Sequence, residues 1–230
     1  MVILQVNSIS KRFGGVVALS NVSIEVRENS VFGLIGPNGA GKTTLLNVIN
    51  GFLKPDKGDV IFKGVKITSK RPSKIAKMGI GRSFQIPRIF PNLSVIENLT
   101  VTGVDENKAK DILAFFNLDK NINEIGKSLS YGQKKSLDVA RALALNPSIM
   151  LLDEPLAGLD FSFMKKMLTY IENLNKEYKK TLIIVEHHLE EIMNIADNIG
   201  LMNFGQIVAM GNPEEIKKTE IIKNVYFGGS

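Results

Sequence analysis

The sequence predicts an α/β fold, a mostly parallel sheet covered by helices on both faces, and two observations predict it. The uncharged run Val31-Phe32-Gly33-Leu34-Ile35 is followed at once by a glycine-rich loop and then by helix-like Thr44-Leu45-Leu46-Asn47-Val48-Ile49, the order strand, tight loop, helix. From residue 148 onward, apolar strand-length runs at 148–152, 181–186 and 199–203 alternate with helix-length segments near 163–178 and 189–196. Strands separated by crossover-length helices argue for parallel pairing. Upstream, Val22-Ser23-Ile24-Glu25-Val26 alternates apolar and polar residues, which suits a half-exposed antiparallel strand instead.

Taken in order, residues 3–6 and 16–26 are β-rich with Gly14-Gly15 between them, and Asn29 just precedes the central strand. After the first helix, Gly51, Pro55 and Gly58 bracket a turn, and Asp59-Val60-Ile61-Phe62 before Gly64 reads as a short strand closing the early sheet. Residues 72–78 form a short helix with Pro near its start. From residue 86 to about 129 the rhythm changes to short helices. There Ser94-Val95-Ile96-Glu97 is a capping box, and Ala109, Ile112, Leu113 and Phe116 follow helix spacing. A break at 117–130 precedes another helix at 133–145. We therefore expect one domain over 1–230 with an inserted helical subdomain at about 86–145. A hairpin through Gly205 and helix-forming residues from Pro213 complete the chain.

Composition narrows the function classes. No apolar run approaches the roughly 18 residues needed to span a bilayer, and no basic-then-apolar leader opens the sequence, so a cytoplasmic location is expected unless a partner holds the chain at a membrane. With no cysteine there is no disulfide framework and no thiolate metal site. The net charge of +6 comes from Lys and Arg intermixed with 23 acidic residues, which reads as a solvated surface and does not call for nucleic acid.

Two stretches carry chemistry on their own terms. Gly36-Pro37-Asn38-Gly39-Ala40-Gly41-Lys42-Thr43, set between strand and helix, has every fixed position of a P-loop. Its glycines allow successive backbone N–H groups to face inward on phosphates; Lys42 can reach the outer phosphates and the Thr43 hydroxyl can sit on magnesium. The helix start adds its own N–H groups and positive dipole end. Ile149-Met150-Leu151-Leu152-Asp153-Glu154 is an apolar strand ending in two carboxylates. Behind a P-loop, Asp153 belongs to the magnesium shell and Glu154 can orient and deprotonate a water attacking the γ-phosphate.

With Leu129-Ser130-Tyr131-Gly132-Gln133 added, the chain resembles the ATP-binding subunit of ABC transporters over nearly its whole length. The resemblance implies a RecA-like P-loop core with an antiparallel β-subdomain and a helical subdomain, ATP and Mg2+ as cofactors, and a head-to-tail pair of cassettes enclosing two ATPs. It implies that Phe13 stacks on adenine and that Gly36, Pro37, Asn38, Gly39, Ala40, Gly41, Lys42, Thr43 and Thr44 form the phosphate loop. It further implies that Gln85 contacts magnesium and water, that Asp153 serves the metal and Glu154 the catalytic water, and that His187 contacts the γ-phosphate. Ser130, Gly132 and Gln133 would lie over the nucleotide of the opposite subunit, with Tyr131 replacing the commoner glycine. Ala157-Gly158-Leu159-Asp160 would be the loop through which the two sites communicate. Read without the family, Phe13 is a packing residue, Gln85 a polar loop residue and Asp160 a helix cap. His187-His188 invites a zinc reading, but no cysteine assists and adjacent side chains are expected to point apart, so His188 is assigned only a helix-start or surface role.

Within the family, Gly79-Ile80-Gly81-Arg82-Ser83-Phe84-Gln85, the run from Arg88 through Asn98-Leu99, Tyr131, Pro155-Leu156-Ala157-Gly158-Leu159, Glu186-His187 and Val225-Tyr226-Phe227-Gly228 are similar to the cassettes of branched-chain amino-acid importers. That branch implies a second cassette, two permease subunits, an external solute-binding protein and a place on the cytoplasmic face of the membrane. Phe84-Gln85 matches the larger of its two cassette types, and the short interval from Glu97 to Ser130 matches the smaller. Lipopolysaccharide-export cassettes share these motifs and give the first alternative. Non-transport ABC ATPases, most with two fused cassettes or a coiled-coil insertion, give the second; this chain has neither feature.

Overall fold

A computed structural model describes residues 1–220 and Ile222. The segment Val225-Tyr226-Phe227-Gly228 lies outside the described residues. The chain divides into two compact units, one formed by Met1–Ile75 with the described part of Thr181–Ser230, the other by Ala76–Lys180.

The first segment opens with a long hairpin, β1 (Val2–Phe13) and β2 (Val16–Arg27), turning at Gly14-Gly15. In β2 the residues Val22, Ile24 and Val26 are buried while Ser23 and Glu25 are exposed, the period-two burial of a strand with one wet face. Then come β3 (Val31–Ile35), α1 (Lys42–Ile49), β4 (Lys57–Phe62), β5 (Val65–Lys66) and the short helix α2 (Pro72–Lys77). The antiparallel sheet runs β2-β1-β4-β5. Its edges are therefore β2 and β5, and β5 is separated by two residues from the strand that the sequence marked as closing the sheet. The sequence signal is weak there because both residues of β5 are exposed.

The second unit begins with β6 (Ile80–Ser83), followed by α3 (Val95–Thr100), α4 (Glu106–Phe115), 3-10 turns at Asp119–Asn121 and Gly126–Ser128, and α5 (Tyr131–Ala144). β7 (Ile149–Asp153) pairs in parallel with β6, and α6 (Phe161–Lys176) follows. The capping box at the start of α3 is present in full, Ser94 accepting from the Glu97 amide and Glu97 accepting from that of Ser94. Buried Asn98 pins the preceding loop, accepting from the Phe90 amide and donating to the carbonyls of Phe90, Leu93 and Ser94. Phe115, Phe116, Tyr170 and Tyr178 form an edge-on aromatic cluster between α4 and α6, with the Tyr170 hydroxyl donating to the Phe116 carbonyl. This unit extends past 86–145 at both ends because it includes β6, β7 and α6.

The chain then returns to the first unit with β8 (Thr181–Glu186), α7 (Leu189–Ile195), β9 (Asn198–Asn203), β10 (Gln206–Gly211) and α8 (Pro213–Lys218). Here β3 lies between β8 and β9 in parallel register, and β10 adds antiparallel to β9. All five residues of β3 and all six of β8 are buried, which explains their unbroken apolar patterns. α7 packs on β3 where Gly33 leaves room: a Cβ there would meet the Ile192 side chain at 2.6 Å.

Candidate active site

In the first unit, β3 delivers the chain into the glycine loop. A Cβ on Gly36 would come within 2.1 Å of the Met202 carbonyl oxygen, so only glycine lets the loop leave β3 this close to β9. At Gly39, by contrast, φ is +80° and a Cβ would meet nothing within 4 Å, so the loop presents open space at its crest. That is space a ligand can occupy. α1 starts at Gly41, in the left-handed region, with no side-chain cap and no acidic residue in its first turn. The positive end of the helix is thus left to an incoming anion. Lys42 is buried and folds over the loop, its Nζ donating to the Gly36 carbonyl at 2.6 Å and the Pro37 carbonyl at 2.9 Å. Thr43 is exposed, Thr44 half-buried, Asn38 exposed and Ala40 buried.

The register Ile35↔Glu186 sets the last residue of β8 beside the last residue of β3, so His187 leaves its strand alongside the loop's first glycine. Glu186 is fully buried and accepts from the His187 amide at 3.2 Å, and the exposed imidazole lies with Nδ1 3.9 Å from the same carboxylate. His188 occupies the N-cap position of α7 without capping it through its side chain. The two imidazoles do not point apart, as alternation along an extended strand would require; their centroids are 4.6 Å apart with planes at 31°. The chain has left β8 and turns into α7 there, which brings the neighbouring rings together. Phe13 is half-exposed at the end of β1, with Lys11 Nζ 5.7 Å from its ring centre.

In the second unit, β7 ends in Asp153 and Glu154, both buried. Arg82 on β6 donates through Nη2 to Asp153 Oδ2 at 2.8 Å, and the two side chains are only 5% and 3% exposed. Burial weakens the hold of Arg82 on its proton while Asp153 strengthens it, so the pair is mutually dependent. Gln85 Nε2 donates to Glu154 Oε2 at 2.8 Å, joining two residues that are 69 apart in sequence. Glu154 itself has φ of +47°, an unusual backbone for a non-glycine residue and a recurrent one at functional sites. The Lys135 ammonium, buried within α5, donates to its carbonyl at 2.6 Å.

Ser130 and Gln133 form a capping box at the start of α5: Ser130 Oγ accepts from the Gln133 amide, and Gln133 Oε1 accepts from the Ser130 amide at 2.9 Å. Gly132 is buried where a Cβ would meet the Phe163 ring at 2.8 Å, and Tyr131 lies exposed against Gly158. Asp160 caps α6, accepting from the Phe163 amide at 2.9 Å. Its local role is therefore the cap that the residue suggests by itself.

Sequence reasoning did not single out Arg82, Lys135 or Asp138. Asp138 is buried in α5 and accepts from the Phe84 amide at 2.8 Å and the Arg88 amide at 3.0 Å. Burial raises its carboxyl above the usual range, while those two N–H groups pull it down. The available signal was Asp138 inside the mainly apolar run from Leu137 to Leu145, with Lys135 three residues before it on the same helix.

The donor set suits the expected ligands. A glycine loop with a lysine and an uncapped helix start fits phosphate oxygens, and hydroxyl and carboxylate oxygens fit magnesium, which commonly binds through one or two carboxylates together with substrate phosphates. Among the described residues no three His, Cys, Asp or Glu side chains converge as a metal-binding group. No helix among them is long and apolar enough to cross a membrane.

Strand, glycine loop and helix, with a buried strand ending in paired carboxylates, define a P-loop NTPase fold. The family model described as "ABC transporter" matches residues 19–157. The chain is 35% identical over 249 residues to the high-affinity branched-chain amino acid transport ATP-binding protein LivG of Salmonella typhimurium, covering 98% of each. It is 37% identical to the probable LivG of Archaeoglobus fulgidus, covering 99% of this chain and 96% of that protein. Among solved structures, the ADP conformation of MJ1267, an ATP-binding cassette of an ABC transporter, superposes with a TM-score of 0.90 at 34% identity, covering 100% of both chains. A nucleotide-free ATP-binding cassette gives 0.86 at 35% identity, covering 98% of this chain and 95% of the other. The chain belongs to the ABC transporter family and is its ATP-binding, ATP-hydrolysing subunit, a RecA-like core carrying an antiparallel β-subdomain and helical elements.

Proposed function

We propose that this chain energises the import of branched-chain amino acids, as one of two cassettes docked on two permease subunits at the cytoplasmic face of the membrane and served by an external solute-binding protein. The observation that carries the reading is similarity over almost the whole chain to relatives named for branched-chain amino acid transport. The run Gly81-Arg82-Ser83-Phe84-Gln85 with Tyr131 supports the same branch.

In this reading the first unit binds ATP. Phe13 stacks on the base, the backbone from Gly36 to Gly41 surrounds the phosphates, Lys42 turns from the loop carbonyls to the outer phosphates, and Thr43 and Thr44 stand at the helix start. Magnesium would be held by Thr43, Asp153 and Gln85, and it would supply charge neutralisation at the phosphates. Glu154 takes the proton of the attacking water and Gln85 orients that water; their 2.8 Å hydrogen bond holds two groups of one task together. His187 contacts the γ-phosphate. Ser130, Gly132 and Gln133 close over ATP bound by the second cassette, and the loop ending in Asp160 links the two sites. Differential affinity of ATP for the closed pair drives the movement.

The test is to purify the native complex through a tag on this chain, identify the membrane and binding-protein partners, and measure leucine, isoleucine and valine binding by that binding protein. The expected result is two permease subunits and micromolar or tighter amino-acid binding, about −8 kcal/mol or more favourable. Recovery with lipopolysaccharide-export membrane subunits, or with ribosomes, would overturn the import assignment.

A further inference from the structure

α5 carries two buried charges that the reading above does not use. Lys135 and Asp138 are three residues apart and so share a helix face, and they are only 2% and 4% exposed. An ammonium and a carboxylate taken this far from water are costly unless each is well bonded. Both are bonded to backbone: Lys135 Nζ donates to the Glu154 carbonyl at 2.6 Å, and Asp138 accepts from the amides of Phe84 and Arg88 through separate oxygens.

These backbone groups flank one pair of side chains. Phe84 directly precedes Gln85 and Arg88 lies three residues beyond it, so the two carboxylate oxygens of Asp138 tie down both sides of the loop that presents Gln85. Lys135 holds the carbonyl of Glu154 itself, the residue whose φ of +47° needs outside support. Gln85 and Glu154 then meet at 2.8 Å. One turn of one helix thus fixes the main chain beneath both members of the pair.

We propose that Lys135 and Asp138 are positioning residues that set the Gln85–Glu154 pair for water activation, an inference resting on the roles proposed above for Glu154 and Gln85. Neither needs to touch the nucleotide. Their effect should therefore fall on turnover and leave nucleotide affinity alone, since misplacement of a reacting group costs rate with little change in ground-state binding.

The experiment uses the full chain, measuring kcat for ATP hydrolysis and the Kd for ATP in parallel. Lys135→Met removes the donor at nearly constant volume and should lower kcat by about tenfold or more with Kd changed by less than about twofold. Lys135→Arg, which can still donate, should recover most of the rate. In a Glu154→Gln background, Lys135→Met should cause no further loss, because the group it positions is already disabled. Should Lys135→Met fail to fold, Asp138→Asn decides by the same criteria, since an amide can accept only one of the two N–H bonds. An unchanged kcat, a Kd that worsens in step with kcat, or full additivity with Glu154→Gln would overturn the proposal. If Glu154→Gln alone turns over at the parental rate, it is the role of Glu154 that fails, and the two failures are distinguishable.

Discussion

Replacing Lys42 with alanine should abolish hydrolysis and weaken ATP binding by roughly 10- to 100-fold, the loss expected when a charge-assisted hydrogen bond to phosphate disappears. Lys42 is held over the glycine loop, with its ammonium on the carbonyls of Gly36 and Pro37. It needs only to exchange those carbonyls for phosphate oxygens to bind. The alanine variant keeps the loop backbone and the uncapped start of α1, so some phosphate affinity should survive while the charge that stabilises transfer does not. Equilibrium titration with nucleotide and phosphate release from the same preparation measure the two effects. Unchanged affinity together with unchanged turnover would remove Lys42 from the mechanism.

The second large effect is that of Glu154→Gln, which should lower turnover at least about 100-fold while ATP still binds. Glu154 accepts from Gln85 through Oε2. A glutamine can present its carbonyl oxygen to the same donor, so the arrangement of the pair can persist. What is lost is the negative charge proposed to take the proton of water. Because Lys42 and Thr43 remain, bound nucleotide should be close to parental. Single-turnover phosphate release, with nucleotide occupancy determined on the same sample, separates the two quantities; hydrolysis at the parental rate would end the assignment.

The parts of this molecule that were legible in the sequence are those whose physics is local. β3 and the loop after it could be read because a fully buried strand is an unbroken apolar run and because glycine is needed at position 36, where a Cβ would come within 2.1 Å of a carbonyl oxygen. β8 could be read for the same reason, and its bounds agree with the sequence expectation at 181–186. β6 was not read, since Gly81 and Arg82 interrupt its four residues and its partner β7 lies far along the chain. The charge of Arg82 argues for a surface position until Asp153, 71 residues away, is seen beside it. Lys135 and Asp138 escape for the same reason: their partners are main-chain groups, which no side-chain pattern reveals. Ser130 and Gln133 present the opposite case. Serine followed three residues later by glutamine is a capping-box pattern legible from sequence, and it places the start of α5 at Tyr131, two residues earlier than helix periodicity alone suggested.

If ATP on the P-loop of one cassette is closed over by Ser130 and Gly132 of another, as proposed, the pairing must show in molecular mass. Purified Glu154→Gln chain is loaded with MgATP, and nucleotide occupancy and mass are measured on the same samples, with and without the added substitution Ser130→Arg. A nucleotide-loaded dimer is expected for Glu154→Gln. With Ser130→Arg added a nucleotide-loaded monomer is expected, because bulk and charge then stand where the facing phosphate must sit. A Glu154→Gln chain that is fully loaded and inactive yet monomeric at high protein concentration, or a dimer that Ser130→Arg leaves intact, would overturn the proposed pairing.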